Sequence, residues 1–280
     1  NWTKVRTLDG FIGYIENKRL TNIREEETSR EFEDPVYTNI SKDYVINMVW
    51  HQVTNMVAND TLMNALSKTK GVNTISPTWF SLSDNEGNIS SLASTSYMEY
   101  AHQQGVEVWA LVDNFNPEIN TYEVLSYTSK REKLINGLIA SAIEFNLDGI
   151  NIDFEQLNVE TGESFIQFIR ELSIKCRNNG IILSIDNYVP EAYTSHYNRA
   201  EQGIVADYVI IMGYDEHFAG SDVSGSVASI NFVENGILNT LKEVPSEKII
   251  SGIPFYSRLW KETTKTEEEI AAEDSSETEE

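Results

Sequence analysis

The chain is expected to fold as an α/β protein, a (β/α)8 barrel of the TIM type, and three features of the sequence carry that expectation. Seven short apolar runs alternate with segments of helical periodicity. Polar and aromatic residues gather after the C-terminal end of each run, and no Gly-x-Gly-x-x-Gly follows the first, as a doubly wound dinucleotide fold would require. The runs cover residues 45–53, 72–80, 106–112, 149–154, 181–185, 208–212 and 249–254. Strands that alternate with helices return in parallel, because each parallel return needs a crossover.

The helices between the runs are marked by their ends and by their spacing. Segments opening near Asn59 and Ser94 stop at Gly71 and Gly105. The clearest opens with Ser129-Lys130-Arg131-Glu132, a capping-box pattern, and continues with Leu134, Leu138, Ile139, Ala142 and Ile143 on one face. After the fourth run, Phe165, Phe168, Ile169, Leu172 and Cys176 recur at intervals of three and four, and Asn178-Asn179-Gly180 ends the pattern.

The fourth run carries the chemistry. In Asp148-Gly149-Ile150-Asn151-Ile152-Asp153-Phe154-Glu155, alternate side chains of an extended chain point the same way, so Gly149, Asn151, Asp153 and Glu155 share one face. Two carboxylates that close cannot both ionise cheaply, and one is expected to hold its proton near neutral pH, as a general acid must. A solvated acidic edge strand is the plainer account; three bulky hydrophobes on the other face argue against it. The remaining strand ends supply the candidate binding residues: Trp50, Trp79, Asp113, Asn114, Asn187, Tyr214 with Asp215, and Tyr256 with Arg258. Each aromatic alone is explained equally well by packing. As a set, carboxylates, amides and ring faces suit a sugar, whose hydroxyls need hydrogen bonds and whose C–H faces stack on rings.

These residues resemble a known family. Asp148-Gly-Ile-Asn-Ile-Asp153-Phe-Glu155 is similar to the Asp-Gly-x-Asp-x-Asp-x-Glu signature of glycoside hydrolase family 18, the chitinase-like enzymes, with Asn151 in place of the middle Asp. Met212-Gly-Tyr214-Asp215-Glu-His217 resembles the sixth-strand motif, Gly225-Ser-Val-Ala-Ser229 the loop after it, and Ser251-Gly-Ile-Pro-Phe-Tyr256-Ser-Arg258 the seventh-strand motif. The Tyr-Asp-Glu-His form and the Asn substitution are most similar to the bacterial branch of spore-cortex and cell-wall peptidoglycan hydrolases. The resemblance implies a retaining, substrate-assisted cleavage of β-linked N-acetylglucosamine-containing glycans, peptidoglycan ahead of chitin, with no protein nucleophile. Glu155 would protonate the glycosidic oxygen and later activate water. Asp153 would orient the substrate's 2-acetamido group, Tyr214 would hydrogen-bond its carbonyl, and Asp215 would steady the amide. A catalytically silent glycan-binding barrel of the same family is the alternative; its usual mark, loss of the acid, is not present. An extracellular, cell-wall or spore-surface setting, with wall association, is implied by the resemblance alone.

Outside residues 42–260, assigned to the barrel, three segments are distinguished. Residues 1–23 read as a hairpin turning at Asp9-Gly10 and resemble part of a bacterial SH3-like domain; residues 24–41 form an acidic linker; residues 261–280, with nine acids and two bases, read as a disordered tail. After Trp260 no apolar run long enough for a buried strand returns. The barrel is therefore expected to be truncated before its eighth strand, with the seventh left as an edge and the native protein continuing beyond Glu280.

Composition sets the remaining bounds. A chain of 280 residues with 40% hydrophobic content can bury a barrel core, and a single cysteine precludes an internal disulfide framework. A formal charge of −23 argues against nucleic-acid binding. Four histidines at 51, 102, 196 and 217, without ligand spacing, point to no metal, and the reaction implied needs no cofactor. No run is long and apolar enough to suggest a transmembrane segment.

Overall fold

The structure, a computed structural model, describes residues 1–7, 10–22, 24 and 37–264, and the chain divides into two compact units, residues 1–36 and 37–280. In the first, β1 (Trp2–Arg6) and β2 (Ile12–Glu16) pair antiparallel, with Lys4 opposite Tyr14 and Arg6 opposite Ile12. Gly10 takes a φ of 93° after the turn, a left-handed conformation that only glycine adopts freely. Asp9, its expected turn partner, lies outside the described residues, as do the acidic stretch 25–36 and the tail from 265.

The second unit realises the strand–helix alternation. Its strands are β3 (Met48–His51), β4 (Thr74–Leu82), β5 (Ile89–Ser91), β6 (Glu107–Asp113), β7 (Gly149–Asp153), β8 (Ile182–Tyr188), β9 (Tyr208–Met212) and β10 (Ile249–Gly252). Its helices are α1 (Leu62–Ser67), α2 (Thr95–Gln103), α3 (Thr121–Ser126), α4 (Thr128–Glu144), α5 (Gly162–Asn178), α6 (Arg199–Val205) and α7 (Ile230–Thr240). Seven strands pair in parallel in the order β3-β4-β6-β7-β8-β9-β10, the sequential order of a TIM-type barrel. Among the described residues no strand joins β10 to β3, so the sheet is open there. The short β5, which no apolar run announced, adds antiparallel to the end of β4.

Alternation along the strands sorts the core in two. Outward residues such as Val108, Val112, Ile150, Ile152, Leu183 and Ile185 pack beneath the helices against Leu138, Phe165, Phe168 and Leu172. Each such side chain, fully buried, contributes about 1.5–3 kcal/mol. Inward residues Trp109, Ile182 and Tyr208 fill the lower barrel with Met48 and Ile250 around them. The ring of Trp109 lies on Gly149, where a Cβ would come within 2.8 Å of it.

Two details differ from expectation. Helix α4 begins at Thr128 with Tyr127 as an N-cap that makes no side-chain bond, so the Ser129 capping box is not used. Arg131 instead turns inward, donating to the Leu125 carbonyl at the end of α3 (2.7 Å) and to both Glu171 carboxylate oxygens (2.8 and 2.9 Å), and α4 starts two residues earlier than that capping box implies. The stretch to residue 41, expected as linker, is tied to the barrel floor from its later part: the Ile40 N–H donates to Asp207 (2.7 Å) and the Lys42 N–H to the Tyr208 hydroxyl (2.8 Å). Lys248 is also buried and donates to the carbonyls of Gly203 (2.8 Å) and Ala206 (2.9 Å) at the C-terminal end of α6.

Candidate active site

The face that β7 turns inward places a chain of polar contacts across the barrel. Asn151, fully buried, accepts at Oδ1 from the Ser76 hydroxyl (3.0 Å) and the Trp50 indole N–H (3.1 Å), and donates from Nδ2 to Asp186 Oδ1 (3.0 Å). Asp186 comes from β8, where Ile182, Ser184, Asp186 and Tyr188 alternate with the outward Leu183, Ile185 and Asn187. Asp153 stands one step up β7, buried, with Oδ1 lacking a hydrogen-bond partner, as does Asp186 Oδ2. Burial and then the charge of Asp186, followed by those of Glu155 and Asp113, push the Asp153 carboxyl well above the ordinary range. Burial also raises Asp186, against the opposing effect of the Asn151 amide. The sequence ties the retained proton to the general acid; the carboxyl that burial pushes up is instead Asp153, and its foremost charged neighbour is Asp186 rather than Glu155.

Glu155 lies beyond the last residue of β7 and is held from two sides. The Asn114 side-chain amide brackets its backbone, accepting from the Glu155 N–H (2.8 Å) and donating to its carbonyl (3.0 Å). The Tyr188 hydroxyl donates to Oε2 (2.6 Å). Burial and the Glu155 charge push the Tyr188 phenol up, so it stays a donor. The next residue, Gln156, has a φ of 53°, turning the chain away immediately after the acid. A cavity of about 420 Å³ opens beside Glu155, lined by Asn114, Phe115, Asn120, Gln156 and Asn158.

Across the site stands Tyr214, its ring edge-on to Trp50 (6.3 Å) and Tyr256 (6.4 Å). Burial first, then the charges of Asp186, Asp153 and Glu155, raise its phenol, leaving it able to donate at any working pH. Asp215, at a φ of 59°, accepts at Oδ1 from Tyr256 (2.8 Å) and Arg258 (2.7 Å). A second cavity of about 760 Å³, lined by Trp50, Tyr214, Pro254, Phe255 and Tyr256, lies along the open side of the sheet. Asp113 accepts from Ser81 (2.9 Å) and the Phe115 N–H (3.1 Å), and sits opposite Asp153 in the β6–β7 register. Burial raises its carboxyl too, those two bonds acting the other way.

Two candidate binding residues are corrected. Trp79 faces away from the barrel interior, 1% exposed, donating its indole N–H to Asn59 (2.8 Å) and packing edge-on against Tyr97 (4.8 Å), because it alternates with the inward Ser76. Asn187 also points outward, 0% exposed, and exchanges two hydrogen bonds with Gln202 of α6 (2.7 and 3.1 Å). Neither reaches the site. Asn114 belongs to it, but through the backbone of Glu155. The sequence counts Asp186 and Tyr188 among the polar and aromatic residues at the strand ends without singling them out, and it misses Ser76; the period of two along β4 and β8 would have selected all three. Among the described residues no group of three or more His, Cys, Asp or Glu side chains is placed to hold a metal ion, and no helix is long and apolar enough to cross a membrane.

An open TIM-type barrel whose C-terminal end holds carboxyls, amides and ring faces defines the class. The chain belongs to glycosyl hydrolases family 18, whose family profile matches residues 44–280. It is 29% identical over 201 residues to the uncharacterized glycosylase YvbX of Bacillus subtilis strain 168, covering 68% of this chain and 58% of that protein. It is 30% identical over 192 residues to the putative sporulation-specific glycosylase YdhD of the same organism, covering 65% and 45%. The crystal structure of B. subtilis YdhD superposes with a TM-score of 0.61 at 29% identity over 65% of this chain and 62% of that one. The Bacillus cereus spore cortex-lytic enzyme SleL shares the fold at 20% identity, with a TM-score of 0.67 over 75% of this chain and 50% of that one. The chain spans about half the length of the curated relatives it matches.

Proposed function

We propose that this chain cleaves β-linked N-acetylglucosamine-containing glycans with retention of configuration, the substrate's own acetamido group serving as nucleophile. One observation supports the mechanism: the carboxyl beside the acid, Asp153, is buried next to Asp186, and burial together with that charge pushes it well above the ordinary carboxylate range, which makes it a poor nucleophile and a poor base for water. A raised, buried carboxyl in that place suits an orienting role better than attack on C1, which leaves the substrate's own acetamido oxygen as the nucleophile, as in the known exceptions to the two-carboxylate scheme. Glu155 gives its proton to the glycosidic oxygen as the bond from that oxygen to C1 breaks and the acetamido carbonyl oxygen bonds to C1. Tyr214 donates to the carbonyl, Asp153 accepts from the amide N–H, and Asp215 steadies it. Glu155, now a base, then takes a proton from water as it attacks C1 and the cyclic intermediate reopens.

Trp50, Tyr256 and Arg258 are assigned to sugar contacts on the Tyr214 side, Asp113 and Asn114 to the Glu155 side. Peptidoglycan is favoured over chitin by the names of the relatives, a sporulation-specific glycosylase and cortical fragment-lytic enzymes, and an extracytoplasmic, wall-associated setting follows from that choice. The test is mass spectrometry of digests of peptidoglycan and chitin oligomers, with rapid NMR of the first anomer. Glu155→Gln should stay folded and lose about 10²–10⁴-fold in kcat. An inverted first product, near-wild-type turnover by Glu155→Gln, or binding without any hydrolysis would overturn the proposal.

A further inference from the structure

We propose that Asp186 is a positioning residue of this site: it holds one proton jointly with Asp153, and takes that proton fully as positive charge develops on the substrate's acetamido nitrogen. The inference rests on the reading of the reaction given above and extends it to a residue outside the signature strand.

Register and burial carry it. The β7–β8 ladder pairs Gly149 with Ile182 and continues through Ile152 with Ile185. The next positions, Asp153 and Asp186, are therefore lateral neighbours at the strand spacing of about 4.8 Å, both on the inward face. Asp153 is 8% exposed and Asp186 2%, and Asp153 Oδ1 and Asp186 Oδ2 are both buried without a partner. Two ionised carboxylates cannot sit so in a dry site; one shared proton removes a charge and gives both orphan oxygens a partner.

The two carboxyls are not equivalent. Asp186 is anchored through Oδ1 to the Asn151 amide, which cannot flip without losing its bonds from Ser76 and Trp50. Asp153 makes no hydrogen bond among the described residues, and so is the member free to turn to a substrate. The titratable groups facing the pair are Asp113 from β6, Glu155 beyond β7 with Tyr188 bonded to it, Tyr214 beyond β9 and, toward Asp153, Tyr197 ahead of α6. No Lys, Arg or His forms an ion pair with either carboxyl among the described residues. In the step proposed, the proton passes from Asp153 Oδ1 to Asp186 Oδ2 as the carbonyl oxygen bonds to C1, and the Asp153 carboxylate faces the charged nitrogen. It returns when water reopens the ring, so nothing is gained or lost over the cycle.

Asp186→Asn tests this. The amide oxygen can keep the Asn151 contact while its N–H₂ gives Asp153 a fixed donor, so Asp153 is ionised before substrate arrives. The hydrogen bond to the acetamido N–H then strengthens in the ground state, and less is gained on the way to the intermediate. Both kcat and KM are expected to fall, kcat by about tenfold, the worth of one charge-assisted hydrogen bond made at the wrong stage. Carbon-13 NMR of the Asp carboxyl carbons provides a readout independent of turnover. In the wild type two carboxyls should titrate together, the upper step above the ordinary carboxylate range; in the folded variant that step should vanish. Asp153 and Asp186 titrating independently in the wild type would overturn the role of Asp186, whether or not the variant folds. So would a variant whose kcat falls while KM rises. An inverted anomeric product would instead overturn the reaction on which the inference rests, whatever the titration shows.

Discussion

Restoring the family signature at Asn151 should damage this chain rather than improve it. Asn151→Asp exchanges the Nδ2 donor to Asp186 for an oxygen, leaving a fully buried acceptor without its hydrogen and costing about 1–3 kcal/mol. It also adds a third carboxyl to a dry site that already holds two with raised titration. A buried charge without a partner brings the loss to about 3–5 kcal/mol at pH 8. Near pH 5 the new carboxyl can stay protonated and donate to Asp186, so the loss should shrink. Adding Asp186→Asn to Asn151→Asp transposes the donor and the acceptor between adjacent strands without changing net charge, and should recover all but about 1 kcal/mol. Urea unfolding of the full chain, followed by tryptophan fluorescence at both pH values, measures each variant. A single variant as stable as wild type at pH 8, or a double variant no better than the single, would refute the coupling of these two positions.

The wild-type chain should itself lose stability as pH rises, because the Asp153–Asp186 pair keeps a proton in the folded state that the unfolded chain releases near pH 4. A raised folded-state value means stability is complete below that point and falls through the raised range, at about 1.4 kcal/mol per pH unit for each retained proton; Asp153→Asn should flatten unfolding free energies between pH 5 and 8, and an equally steep variant would count against it. Lys248→Met should cost about 1–3 kcal/mol by leaving the carbonyls of Gly203 and Ala206 bare, with faster hydrogen exchange confined to the end of α6 as its sign. Tyr188→Phe removes the donor to Glu155 Oε2 and should lower kcat about tenfold at unchanged melting temperature, which enzyme assay and thermal unfolding together decide.

How far the sequence can be read depends on what hydropathy marks. The run 208–212 coincides with β9, which is apolar from end to end, and the fourth run with β7 to within a residue, because the alternation of Ile150 and Ile152 with Gly149, Asn151 and Asp153 marks that strand through its last residue. Strand β8 shows the limit. Its apolar run stops at Ile185, but the strand continues through Asp186, Asn187 and Tyr188, so the alternation that turns Asp186 and Tyr188 inward was not carried past the hydrophobic stretch. Asn187 was chosen from that trio for its chemistry, though its parity sends it to Gln202. At Trp79 the same error recurs: three positions beyond the inward Ser76, its parity sends it outward to Asn59. The Asn114 contact could not be read at all, since it joins a loop to a backbone 41 residues away.

Strand β7 ends at Asp153, and this explains how two carboxyls two residues apart come to live in different surroundings. Asn151 and Asp153 are placed by the pleat, which commits them to the dry interior and to the neighbour that β8 supplies. Glu155 lies beyond the ladder, and its place is set by Asn114 through the backbone and by Tyr188 through the side chain, with the turn at Gln156 directly after it. The acid is therefore positioned by the ends of β6 and β8, while the orienting carboxyl is tuned by their flanks. Because the supports do not overlap, a change at Asn151 acts on the protonation of Asp153 and leaves the anchor of Glu155 in place, whereas a change at Asn114 or Tyr188 moves the acid and leaves the buried pair dry. Such separation lets one short strand hold a proton donor at the edge of a cleft and a protonated pair just beneath it.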